Sequence, residues 1–181
     1  MVLARLGGGL LVVGGVLGLG LLAFASSGGS VILGSSDISG LLAGASAAAL
    51  GIGAGALSLS GARGPARLTR LGLGLAAVGL LALALTASAN VGPDTSPLLL
   101  VLLASIPVVV FGAIVTAIAL LRSPGRSRLT GLVLMAGCFG ALLHIATGSD
   151  LSTILIAGVP IGLAMLGLFS LAARSVPGSP A

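Results

Sequence analysis

Read along the chain, polar positions come in short clusters and apolar positions in long runs. Six runs are near the length of about 20 residues that crosses about 30 Å of hydrocarbon at about 1.5 Å per residue. They predict helices over Leu6–Ala25, Ile38–Ser60, Leu71–Ala89, Leu98–Leu121, Leu129–Thr147 and Leu151–Ala173. The fold class expected is all-α: a polytopic membrane protein with one six-helix domain over residues 1–174. Residues 175–181, with two prolines, form an unstructured tail.

The runs differ in texture. Between Leu41 and Leu59, 13 of 19 residues are Gly, Ala or Ser. Such a helix gains little from facing lipid but lets neighbouring backbones come close, so the second helix is expected to be the one most surrounded by protein. The fourth run is the greasiest, opening Leu98-Leu99-Leu100-Val101-Leu102-Leu103. Its small residues Ser105, Gly112 and Ala119 recur by sevens and mark one packing seam. Pro107 lies mid-helix, where a kink is expected. Gly7-Gly8-Gly9 and Gly14-Gly15 read as close-packing positions or compositional bias. Ala23-Phe24-Ala25 has the form of a signal-peptidase site, but the apolar run before it exceeds a usual signal core, and it is taken as a retained helix.

Composition agrees with this partition. The chain of 181 residues is 57% hydrophobic and 6% charged, against about 25% charged in soluble domains. A net charge of +5 comes from arginines and three aspartates, with no Lys or Glu. Nucleic acid is not the expected partner, because no basic face is interleaved with aromatics and Trp and Tyr are absent.

Threading six helices places Arg5, Arg63, Arg67, Arg70, Arg122, Arg126, Arg128 and Arg174 on one side and Asp37, Asp94 and Asp150 on the other. Short arginine-rich loops stay cytoplasmic. Arg63, Arg67, Arg70, Arg122, Arg126 and Arg128 are therefore read as topology anchors, with both termini cytoplasmic in a cell membrane. Anionic headgroups are suitable partners for them. Other membrane proteins or a second copy of the chain are the partners expected for small-residue helix faces.

The basic segments also repeat. Arg67-Leu68-Thr69 returns as Arg128-Leu129-Thr130, 61 residues later, and Arg5-Leu6 precedes Arg67-Leu68 by 62. At the offset of 61, Gly51 aligns with Gly112 and Gly79 with Gly140; more faintly, Ala157–Pro160 echoes Ala104–Pro107. Three tandem two-helix units would give this pattern. So would self-similarity of a chain rich in Leu, Ala and Gly.

Candidate chemistry is sparse. Only His144 and Cys138 are ionisable residues within predicted spans. His144 is the weak ligand-site candidate; its competing reading is an interfacial side chain reaching the headgroups. Cys138 reads as a small packing residue. No catalytic, metal or cofactor site is expected: there is no H-E-x-x-H, no intramembrane carboxylate pair, no G-x-S-x-G turn and no phosphate loop with its Lys.

Three functions fit the sequence. The first is a non-enzymatic structural, accessory or assembly subunit. The second is a small channel or transporter for an apolar or small neutral solute. The third is an intramembrane enzyme built around His144. A cavity on the bundle axis favours the second; a closed core, or a flat patch of small residues, favours the first.

Overall fold

A computed structural model describes residues 2–26, 38–60, 67–87, 96–123, 127–147 and 157–172. These form six helices and no strand: α1 (Val2–Ser26), α2 (Ile38–Leu59), α3 (Arg67–Ala87), α4 (Ser96–Leu121), α5 (Ser127–Thr147) and α6 (Gly158–Ala172). Four have stretches long and apolar enough to cross a membrane, namely Val2–Phe24, Ile38–Leu59, Arg67–Ala87 and Pro97–Leu121. Ser127–Leu143 and Gly158–Ala172 are shorter apolar segments. Residues 151–156, the front of the sixth predicted span, lie outside the described residues, as do Arg63, Arg126, Arg174, the three aspartates and the tail.

Helices α1, α3 and α5 begin a few residues earlier than the apolar runs suggest. Arg5 and Arg67 to Arg70 fall within helical turns, not in the connecting loops. An arginine in a first turn keeps its guanidinium in water while its stem covers apolar surface, so charge does not end the helix.

The helices close a ring in chain order. Each packs against its neighbours in sequence, and α6 returns to α1. Paired positions run in opposite senses at every seam. Gly7 lies against Gly53 and Leu57, whereas Gly14 lies against Leu50. Gly72 meets Gly112 and Gly79 meets Val109. Gly137 meets Gly158, and Gly162 meets Leu134. At the closing seam, Gly8 meets Gly167 and Gly15 meets Pro160 and Ala164. The ring is therefore antiparallel throughout, which brings Arg5, Arg67, Arg70, Arg122 and Arg128 to one end.

Glycine makes these approaches. A Cβ on Gly112 would stand 2.8 Å from the Gly72 carbonyl oxygen and 2.9 Å from the Ala76 Cα. No side chain fits between backbones that close, and in hydrocarbon such contact is a main source of helix association. The rule does not extend to every glycine: Gly9 and Gly20 have open space where a Cβ would stand. In the Gly7-Gly8-Gly9 cluster the first two residues are thus seam positions and the third is not.

Helix α2 is the most protein-surrounded of the four long helices, with 56% of its most apolar window buried against 22–39% in the others. Ser105, Gly112 and Ala119 are all buried on an α4 that otherwise exposes Leu100, Leu103 and Phe111. Helix α4 runs on through Pro107 as one element.

Burial recurs along the odd helices at the spacing of the arginines. Leu6, Leu68 and Leu129 are exposed; Gly7, Thr69 and Thr130 are buried; Leu11, Leu73 and Leu134 are buried; Val16, Val78 and Phe139 are exposed. On the even helices the match lies one residue further on than 61, pairing Leu50 with Gly112, Ala54 with Thr116 and Leu57 with Ala119. Gly51 and Gly112 are accordingly not equivalent, although both touch α3: Gly51 faces Leu80 and Leu81 of the helix after it, and Gly112 faces the helix before it. Pro107 is exposed and Pro160 buried, so the Ala104–Pro107 and Ala157–Pro160 echo does not carry over to their surroundings.

Candidate functional site

One hydrophobic cluster draws on all six helices and includes Leu11, Leu57, Leu73, Leu120, Leu134 and Leu163. Leu11, Leu73 and Leu134 each stand six residues beyond an arginine (Arg5, Arg67, Arg128), about 9 Å along the helix. Glycine receives two of these side chains: Leu11 lies against Gly53 and Gly167, and Leu134 against Gly162. In the arginine half of the ring the axis is thus filled.

The other half holds a cavity of about 240 Å³ lined by all six helices. Gly18, Leu21 and Leu22 come from α1, and Ala43, Ser46, Ala47 and Leu50 from α2. Leu80 and Leu83 come from α3, and Ile106, Val109 and Val110 from α4. Ala141 closes it from α5, and Val159 and Pro160 from α6. Its floor is level. Gly18, Leu80, Val110 and Ala141 stand 12 or 13 residues along the chain from Arg5, Arg67, Arg122 and Arg128 of the basic end, or roughly 20 Å. Small residues (Ala43, Ala47, Ala141) at inward positions leave the space there, where longer side chains fill the axis below.

Among the described residues, Ser46 is the one polar side chain of the lining. Its hydroxyl donates to the Gly14 carbonyl across the α1–α2 seam at 2.8 Å. A Ser or Thr in an apolar helix generally bonds its own backbone, as Ser105 does to Leu102, Thr116 to Gly112 and Ser170 to Gly167. Ser46 departs from that expectation by tying two helices at the cavity wall.

This chemistry selects strongly. The described lining offers a solute apolar contact and, apart from the Ser46 oxygen, no polar side chain. Moving an ion into it would cost on the order of 20 kcal/mol with no countercharge at hand. A small hydrocarbon, or a neutral molecule with at most one hydrogen-bonding group for the Ser46 oxygen, has no such cost. An engineered cavity of about 150 Å³ in another protein already holds benzene or xenon.

Two further grooves lie on the outer wall. One, about 570 Å³, runs between α2 and α3 and is lined by Leu41, Gly44, Ala45, Ala48, Leu81, Ala84 and Leu85. The other, about 270 Å³, runs between α4 and α5.

Of the residues singled out from sequence, His144 falls in the last turns of α5, away from the arginine end, and its side chain lies outside the described residues. Arg67, Arg122 and Arg128 are exposed and Arg70 is half-buried. The Arg128 Nε donates to the Ser123 carbonyl at 3.1 Å, and the Arg70 carbonyl accepts from Ser58 Oγ at 3.0 Å. Arg63 and Arg126 lie outside the described residues. Cys138 is buried at the α4–α5 seam with its Sγ 3.9 Å from the Val110 carbonyl oxygen. Of the described ones, Arg67, Arg70, Arg122, Arg128 and Cys138, none is among the residues lining the axial cavity. The lining leucines, valines, alanines and Ile106 carry no sequence signal that separates them from outward-facing ones; Gly18, Ser46 and Pro160 depart from that texture.

Comparison of the chain with protein-family models, with curated proteins and with solved structures finds no match.

Proposed function

We propose that this chain is a non-enzymatic integral membrane protein that binds a small apolar or neutral solute in its axial cavity and facilitates that solute's movement. The observation that carries the reading is an apolar cavity to which every helix contributes and, among the described residues, no charged side chain does. The axis is filled with leucine below the cavity, so the arrangement is a one-sided pocket and not an open pore. In this reading the chain crosses the membrane six times, the arginine end and both termini are cytoplasmic, and the arginines meet anionic headgroups. The recurrence of burial along α1, α3 and α5 supports three two-helix units.

Xenon is a suitable test probe. In bilayer nanodiscs, ¹²⁹Xe NMR should show a protein-bound resonance distinct from xenon in lipid, and Ala47→Leu, which fills the cavity, should abolish it. No distinct resonance in a folded wild-type sample would refute the reading.

A second reading, the accessory subunit, draws on the α2–α3 groove, where Gly44, Ala45 and Ala48 form a small-residue face beside Leu41, Leu81 and Leu85. A transmembrane helix of another protein is the occupant that surface suits. Co-purification from native membranes that is lost on Ala45→Phe would support it; a monodisperse chain free of partners would count against it.

A further inference from the structure

The two outer grooves differ in how they stand to the axial cavity. The larger, between α2 and α3, shares no lining residue with it: Leu41, Gly44, Ala45 and Ala48 line the groove, while Ala43, Ser46, Ala47 and Leu50 of the same helix line the cavity. The smaller, between α4 and α5, shares two. Ile106 and Val110 line both the groove and the cavity, and the neighbours Ala141 and Leu142 divide between the inner and outer sides. At the α4–α5 seam the same two side chains, Ile106 and Val110, thus face both the outer groove and the cavity.

The backbone beside these two side chains is also the least supported in α4. Pro107, exposed on the outer wall, is adjacent to Ile106 and belongs to the groove. Proline has no N–H, so the usual helical donor to the carbonyl four residues earlier, that of Leu103, is missing. Ile106 and Val110 are half-buried, whereas Phe111 and Leu142 at the mouth face outward. Just below, Cys138 and the Val110 carbonyl hold the seam together.

We infer that apolar solute reaches the axial cavity laterally from the membrane hydrocarbon, between α4 and α5, with the Ile106 and Val110 side chains as the gate. The inference rests on the proposed function: it names the route for the pocket defined there. Rotamer changes of two aliphatic side chains open the route, and no helix need leave the ring. Among the described residues the side chains lining groove and route are apolar, so a solute already dissolved in hydrocarbon passes between apolar side chains. Movement to the aqueous side would be a separate event.

The test is ¹²⁹Xe saturation transfer in nanodiscs, which reads the bound resonance and its exchange rate separately. Ile106→Ala and Val110→Ala should each speed exchange several-fold with the bound resonance retained, and Ile106→Phe should slow it by a similar factor. Leu142→Ala, a lipid-facing change at the mouth with little bearing on the core, should also speed exchange. Leu81→Ala, in the α2–α3 groove, should leave the rate unchanged. A bound resonance whose exchange ignores Ile106, Val110 and Leu142, or responds equally to Leu81→Ala, would overturn the lateral route and leave the pocket standing. Absence of any bound resonance in the folded wild type would remove both.

Discussion

The two halves of the ring use the same few residue types to opposite ends. In the arginine half, a glycine on one helix faces a backbone or a leucine on the next, and space disappears: Gly72 on Gly112, Gly53 on Leu11. In the far half, Ala43, Ala47 and Ala141 face a space that the larger lining side chains do not fill. A small side chain therefore has no fixed meaning. It closes a structure when another element fills its hollow, and opens one when no side chain does.

That contrast can be broken most severely at a closed seam. Gly112→Val should cost at least about 3 kcal/mol, because the added atoms meet the Gly72 and Ala76 backbones and not a yielding side chain; reversible unfolding in mixed micelles would measure it. Leu73→Ala and Leu134→Ala should each cost about 2 kcal/mol and extend the cavity toward the arginine end. The extension should show as a shifted bound-xenon resonance, and an unchanged shift would mean the axis is not where these leucines act. In the far half, Ala47→Leu should change stability by less than about 1 kcal/mol while removing bound xenon. Ser46→Ala loses one interhelical hydrogen bond, worth about 0.6 kcal/mol in membrane bundles. Gly20→Ala, with open space at its Cβ, should fall within about 0.5 kcal/mol of wild type. If Gly20→Ala proved as costly as Gly112→Val, glycine would matter here for something other than close approach.

Much of the architecture was legible beforehand because charge marks its ends. The arginines delimit the helices, and their spacing anticipates the shared register of Leu11, Leu73 and Leu134. The density of small residues in Leu41–Leu59 anticipates the burial of α2. The closure of α6 onto α1 was not legible, because ring order depends on which faces meet and the glycine patterns admit several partners. Nor was the cavity. In a soluble protein, inward and outward positions differ in polarity; in a bilayer both are hydrocarbon, so Val109 toward a void and Val78 toward lipid look alike. The offset of 61 shows a related weakness. It is right for α3 and α5 and one residue short for α2 and α4, and one residue is a turn of about 100° around the axis, enough to aim Gly51 and Gly112 at opposite neighbours.

The seam between α1 and α6, where Gly8 meets Gly167 and Gly15 meets Ala164, also has a bearing on biosynthesis. The first helix to reach the membrane finds one of its two neighbours at once and the other only after about 150 further residues are made, some ten to thirty seconds at ordinary translation rates. Throughout that interval its Gly8 and Gly15 face is bare, and chaperones or membrane quality control would meet an unfinished ring whose vacant edge is a glycine groove.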